Sequence, residues 1–270
     1  MDRITPSIDF ASELGTLFDV ADKVAYIPGG YGGIGEAIAW GLALGGARVV
    51  VSGRSREKAT TLAEQLCAGG HAAAGVALDV TSVAEIRDSV DFVVEKYGGL
   101  DILVNCVGIQ REEPLLEVTE AAFDEVYAVN LKAAMFLGQA AARRQVAAQR
   151  GGKHIHLLSV RAQLGLRDRG YSAYTSSKGG LAMLVKQHAM ELARYQINVN
   201  GIAPTFVYTE MIRHVMENDD FRSKLLARIP LARLAHPKDI VGPALFFASP
   251  AASFITGQIL YVDGGITASQ

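Results

Sequence analysis

Short apolar, largely β-branched runs recur along the chain at Lys23–Ile27, Arg48–Ser52, Ala73–Leu78, Ile102–Asn105, His154–Ser159, Ile197–Ile202 and Ile259–Val262. Most are apolar at consecutive positions rather than alternate ones, as in strands covered on both faces. Between them lie longer segments whose apolar residues return every three or four positions: Ile34–Leu44, Ser55–Ala68, Val83–Lys96, Glu120–Gln149, Tyr174–Arg194 and Pro237–Phe247. That period predicts amphipathic helices. Strand and helix alternate, so the pattern predicts an α/β fold with a doubly wound parallel seven-stranded sheet. No Pro-, Gly- or Ser-rich linker and no internal repeat divides the chain. A single domain is expected over residues 19–270, preceded by an arm at 1–18. Residues 206–235 read as a polar, helical insertion between the sixth and seventh strands, where a segment can cover a ligand crevice.

Composition narrows the classes. The chain has 270 residues, 50% of them hydrophobic, enough for one large buried core. A formal net charge of −2 with no block of either sign argues against nucleic acid and against a basic membrane face. Two cysteines, Cys67 and Cys106, sit in apolar stretches and read as reduced packing residues, not a disulfide framework. The N-terminal stretch lacks a charged head followed by an apolar core, and no run of about 18 apolar residues occurs. A cytoplasmic protein with no membrane span and no metal site is expected.

Chemistry first surfaces after the first strand, in Pro28-Gly29-Gly30-Tyr31-Gly32-Gly33-Ile34-Gly35. Glycines between a strand and a helix permit a tight turn and close approach of a pyrophosphate, and the helix N-terminus offers unpaired N–H groups. The turn thus reads as a seat for a dinucleotide in a Rossmann-type fold. At the end of the second strand such a fold uses an acid to hold the adenosine ribose. This chain has Gly53, then Arg54 and Ser55. A guanidinium and a small hydroxyl suit a 2′-phosphate, so NADP is favoured over NAD. Farther on, Tyr174 and Lys178 stand at i and i+4 on one helix face, with Ser159 ending a strand. A nearby ammonium is expected to lower the phenol pKa from its usual ~10. A tuned phenol beside a dinucleotide seat means proton transfer coupled to hydride transfer.

The Gly29, Gly33, Gly35 spacing together with Ser159, Tyr174 and Lys178 resembles the short-chain dehydrogenase/reductase family. The likeness runs from about Phe18 to Gly265 and includes Asp79-Val80, Asn105 to Gly108, Asn130, Pro204 to Thr209 and Asp263-Gly264-Gly265. The resemblance implies that Tyr174 is the acid/base, Ser159 steadies the substrate oxygen, Lys178 assists Tyr174 and holds ribose hydroxyls, and Asn130 keeps a relay water. It further implies that Asp79 and Val80 border the adenine, that Asn105 and Gly108 lie near the ribose, and that Val207 and Thr209 meet the nicotinamide or phosphate. Gly29, Tyr31, Gly33, Ile34 and Gly35 would line the pyrophosphate. Four positions depart from the family pattern: Pro28 where Thr is usual, Cys106 and Val107 for Asn and Ala, and Thr205 for Gly.

The stretch between Ser159 and Tyr174 carries Arg161, Arg167 and Arg169, which can bind a carboxylate, phosphate or sulfonate. Arg213 and His214 in the insertion are weaker candidates. The run Gly108-Ile109-Gln110-Arg111 and the closing Gly257 to Gly265 resemble sugar-acid and polyol members of the family, gluconate 5-dehydrogenase among them. A small hydroxy or keto substrate is therefore expected. A 3-oxoacyl-(acyl carrier protein) reductase is the competing subgroup, and a non-catalytic dinucleotide sensor the competing class. The resemblance also implies a homotetramer built through the two long helices and the last strand.

Overall fold

The computed structural model describes residues 14–209 and 219–268. Seven strands form one sheet: β1 (Val24–Pro28), β2 (Arg48–Gly53), β3 (Ala73–Ala77), β4 (Ile102–Asn105), β5 (Gly152–Leu157), β6 (Ile197–Pro204) and β7 (Ile259–Val262). Their order is β3-β2-β1-β4-β5-β6-β7, and every pairing is parallel. The chain starts in the middle of the sheet, winds outward to β3, returns to β4 and winds to the other edge. The reversal between β1 and β4 opens a crevice at the carboxyl ends of the strands, where ligands bind in such sheets.

The helices are α1 (Gly33–Leu44), α2 (Arg56–Ala68), α3 (Val83–Tyr97), α4 (Glu120–Tyr127), α5 (Ala133–Ala148), α6 (Ser172–Leu192), α7 (Asp219–Leu226) and α8 (Pro237–Ala248). Sequence-local chemistry starts several of them. Ser55, Ser82 and Thr119 each accept the N–H three residues on, the ordinary N-cap bond. Strand side chains alternate between two cores. Ala25 and Ile27 pack with α1, α2 and α8, whereas Val24 and Tyr26 pack with α3 and α5. Tyr26 hydrogen-bonds Ser52 and Ser89 inside the second core, and burial pushes its phenol up to about 12. A third cluster holds α6 against β6.

Two expectations change. The single helix expected over Glu120–Gln149 is interrupted at Ala128–Lys132 by a π turn, in which the Ala133 N–H donates to the Ala128 carbonyl five residues back. The extra residue turns Asn130 fully inward. The fifth strand ends at Leu157, not Ser159; Ser159 instead starts the short turn Val160–Ala162 and accepts the Arg161 N–H at 3.1 Å. The insertion contains α7, but its residues 210–218, including Arg213 and His214, lie outside the described residues, as do residues 1–13 of the arm. Among the described residues no helix is long and apolar enough to cross a membrane.

Candidate active site

The glycine turn is shaped by what glycine lacks. Gly29 has φ of 75°, and a Cβ there would come within 2.9–3.0 Å of the Cys106 and Val107 backbone. A Cβ on Gly35 would stand 2.5 Å from the Gly29 carbonyl oxygen, and one on Gly33 would stand 2.5 Å from Thr209 Cγ2. Three chain segments therefore close on one small concavity at the N-terminus of α1, whose cap residue Gly32 offers no side chain. Ile34 anchors the helix start to the core. An open helix N-terminus lined by backbone fits a pyrophosphate.

On the adenosine side, Arg54 is exposed at the end of β2. Asp79 lies across from it after β3, with Val80 buried beneath. The Thr81 N–H and hydroxyl both donate to the Asp79 carboxylate, at 2.9 and 2.7 Å. These bonds, with a smaller contribution from the Arg54 charge, hold that carboxyl below the usual range. Asn105 is buried at the end of β4; its carbonyl accepts the Val107 N–H and its amide faces His156 Nδ1 at 3.3 Å.

The residues expected to react, Ser159, Tyr174 and Lys178, come together near the ends of β4 and β5 and the start of α6. The Ser159 hydroxyl stands close enough to the Tyr174 phenol to favour its ionised form. Lys178 is 3% exposed; its ammonium donates to the Leu157 carbonyl at 2.8 Å and stands 5.8 Å from the Tyr174 ring centroid. A Cβ at Gly108 would approach Lys178 Nζ to 3.3 Å, so glycine there leaves room for the lysine. Asn130 clamps the loop after β4: its carbonyl oxygen accepts the Ile109 N–H at 2.8 Å, and its amide donates to the Ile109 carbonyl and to Ser177 Oγ. Ser177 in turn donates to the Tyr174 carbonyl.

The pKa picture differs from the one expected of a phenol tuned by its lysine. Burial raises the Tyr174 phenol above its usual value, and the Ser159 hydroxyl and then the Arg161 charge only partly offset it. Burial also pushes Lys178 down to about 8. Desolvation thus outweighs proximity at both groups.

The family model described as enoyl-(acyl carrier protein) reductase matches residues 30–267. The 5-keto-D-gluconate 5-reductase of Escherichia coli (strain K12) is 38% identical over 250 residues, 93% of this chain and 97% of that protein. The gluconate 5-dehydrogenase of Gluconobacter oxydans (strain 621H) is 36% identical over 253 residues, 94% and 98% of the two chains. Among solved structures, a gluconate 5-dehydrogenase from Burkholderia cenocepacia J2315 in complex with NADP and tartrate superposes with a TM-score of 0.90 at 36% identity, over 94% and 99% of the two chains. The chain belongs to the short-chain dehydrogenase/reductase family.

Where the chain departs from the family pattern, backbone replaces side chain. Pro28 brings no hydroxyl, yet its carbonyl accepts the Cys106 N–H at 2.9 Å, so the turn and the loop after β4 remain tied. Cys106 fills apolar space, and burial raises its thiol to about 12. Thr205 bonds the Val262 carbonyl through its N–H, and its buried hydroxyl has no partner among the described residues. Beyond β6, Val207 is buried and bridges to Ala235, which carries Thr209 to the glycine turn.

The three arginines separate. Arg161 is 3% exposed; one guanidinium nitrogen donates to the Leu164 and Gly165 carbonyls, and the other terminal nitrogen, Nη2, has no partner among the described residues. Its charge is felt by Tyr171 and Tyr174, and Arg228 faces it as a like charge. Arg169 is bound to the Glu112 carboxylate through two nitrogens and lies 5.4 Å from the Tyr171 ring centroid. Arg167 is exposed. Sequence reasoning missed Ser177, His156, Glu112 and Arg228. No spacing rule marks them, because each acts through a partner distant in the chain.

Proposed function

We propose that the protein is an NADP-dependent oxidoreductase that interconverts a ketone and a secondary alcohol on a sugar acid or polyol. The observation that carries the reading is the Ser159–Tyr174 pair beside a buried arginine with an unpaired nitrogen. The bound nicotinamide would supply or accept the hydride at the carbonyl carbon. Gly29, Tyr31, Gly33, Ile34 and Gly35 would hold its pyrophosphate; Arg54, Ser55, Asp79 and Val80 its adenosine; and Asn105, Gly108, Lys178, Val207 and Thr209 its nicotinamide half.

Tyr174 keeps its proton at neutral pH because burial raises its pKa, which suits a donor to the developing alkoxide. Ser159 donates to the same oxygen and steadies its charge. Lys178 is the nearby cation that favours the phenolate left behind. Asn130 holds Ile109 and, through Ser177, the start of α6, which keeps Tyr174 and Lys178 in register. Arg161 would take a substrate carboxylate, an ion pair that also satisfies its Nη2. Arg167 would sit at the mouth, and Arg169 would steady the loop around the substrate. The similarity to two sugar-acid enzymes over most of the chain supports the same substrate class.

We read the assembly as a cytoplasmic homotetramer. The two cysteines carry no disulfide, as a reducing compartment favours. Helices α5 and α6 flank a groove of about 440 Å³, and Met135, Met183 and Met190 on them, with Tyr195 in the turn that follows α6, are exposed large apolar residues available for subunit contact.

Nicotinamide absorbance during turnover tests the reading, using 5-keto aldonates, neutral ketoses and acyl thioesters with NADPH or NADH. Keto aldonates should turn over with NADPH, and Tyr174→Phe should lose about 10²–10⁴-fold in kcat while still binding nucleotide. Turnover of acyl thioesters alone would make the protein a carrier-linked reductase. Nucleotide binding without turnover of any substrate would make it a sensor.

A further inference from the structure

We propose that Tyr31 sets the cofactor choice: its ring keeps position 53 free of any side chain, and its hydroxyl donates to a 2′-phosphate on the adenosine ribose. The inference rests on the dinucleotide reading above and adds a residue that decides between two dinucleotides.

Tyr31 projects from the glycine turn across the end of β2. A Cβ built on Gly53 would lie 2.5, 2.6 and 2.7 Å from Cε1, Cζ and Oη of the Tyr31 ring. No real Cβ tolerates such contacts. The backbone gives no reason for glycine at this position, because Gly53 pairs with Ala77 as a regular strand residue and is not among the glycines with positive φ. The ring is the reason. It is also held in place: it packs against the core beneath α1 and α2, and the Ser55 N–H donates to its Oη at 2.9 Å. Moving it aside would break that bond and uncover apolar surface.

Position 53 matters because the end of the second strand is where an acidic side chain holds the ribose hydroxyls of NAD. Tyr31 excludes that acid sterically. The groups left at the site suit an anion. The Tyr31 oxygen accepts from Ser55, so its own proton is available to donate. Ser55 Oγ accepts the Lys58 N–H and keeps its own proton to donate, and Thr81 donates twice to one oxygen of the Asp79 carboxylate. The exposed Arg54 guanidinium stands next along the chain, near enough for its charge to act on Asp79. The start of α2 adds its positive dipole end. A doubly charged phosphate meets the Tyr31 and Ser55 hydroxyls and the Arg54 guanidinium as donors here, whereas a ribose hydroxyl meets no carboxylate acceptor at position 53.

The test is equilibrium binding of NADPH and NADH, followed by nucleotide fluorescence and calorimetry, with thermal unfolding as a check on folding. Tyr31→Phe keeps the ring and removes the donor; NADPH affinity should fall about tenfold, the scale of a hydrogen bond to a charged group, while NADH affinity changes less than about twofold. Gly53→Asp alone should weaken NADPH without gaining NADH, because the ring blocks the carboxylate. Gly53→Asp combined with Tyr31→Ser should bind NADH at least about tenfold more tightly than the two single changes combined would give. An unchanged NADPH/NADH ratio in Tyr31→Phe, or simple additivity in the double variant, overturns the inference. If Gly53→Asp does not fold, Tyr31→Phe decides alone. Wild-type protein that binds neither nucleotide would instead overturn the dinucleotide reading itself, and this inference with it.

Discussion

Lys178 is almost fully buried, and its ammonium donates to a single backbone carbonyl, that of Leu157, among the described contacts. Burial disfavours the charged form and holds the pKa at about 8, against the usual lysine value of 10.5. A lysine whose folded pKa is depressed costs stability while it is charged in the folded state. That cost is present in full below about 8 and is relieved as pH rises towards 10.5, where the unfolded chain binds a proton that the folded protein does not. Wild type should therefore gain stability relative to Lys178→Met across that window, by up to about 3 kcal/mol, and the difference should be flat below it. Urea denaturation over a pH series reads this directly. A flat difference throughout would show that the ammonium is solvated after all. At this scale the sequence brought Tyr174 and Lys178 together, since they share a helix face by spacing alone. It misjudged their electrostatics, because spacing carries no information on how far water is excluded.

At the scale of elements, the π turn between α4 and α5 has the largest local consequence. The insertion of one residue per turn directs Asn130 inward, where its amide satisfies both backbone groups of Ile109 and reaches Ser177. Asn130→Ala should cost about 2–4 kcal/mol, because it leaves several part-buried polar groups unpaired. Arg169→Ala should cost less than about 1 kcal/mol, because the ion pair with Glu112 lies at the surface with about a third of each side chain open to screening solvent. Denaturant midpoints compare the two; equal costs would mean that the Asn130 clamp contributes nothing special. The turn was not readable from the pattern. Ala128-Val-Asn-Leu-Lys-Ala-Ala134 keeps apolar residues at helical spacing whether the bond is to the fourth or the fifth residue. The helix starts were readable, because Ser55, Ser82 and Thr119 act on N–H groups only three residues away.

Across the whole molecule, three buried histidines couple stability to pH. His154, His156 and His188 are all kept neutral mainly by desolvation, His154 with a pKa of about 3. His154 bonds Gln145, His156 faces Asn105, and His188 contacts Met135. Their folded pKa values lie below the unfolded value of 6.5, so the unfolded chain binds more protons and stability falls as pH drops below 6.5. His154, with its folded pKa of about 3, contributes about 1.4 kcal/mol per pH unit once the unfolded chain is protonated. His154→Gln should therefore lessen the slope of unfolding free energy by about that amount between pH ~6 and ~4.5, above the range where the carboxylates titrate. A slope identical to wild type would rule out a neutral buried His154.

The pattern of apolar positions was enough for the number of strands, the parallel sheet and the glycine seat, because burial on both faces and a tight strand-to-helix turn leave local signatures. Local chemistry also marked Ser159, Tyr174 and Lys178 as candidates, and the fold gathers them at one end of the sheet. Contacts between distant segments needed the folded chain: Glu112 with Arg169, 57 residues apart, the Tyr31 ring over Gly53, and the Arg161 side chain enclosed beside Tyr174. Their partners are chosen by how the strands are ordered and how the loops at their carboxyl ends converge, and residue spacing along the chain does not encode that convergence.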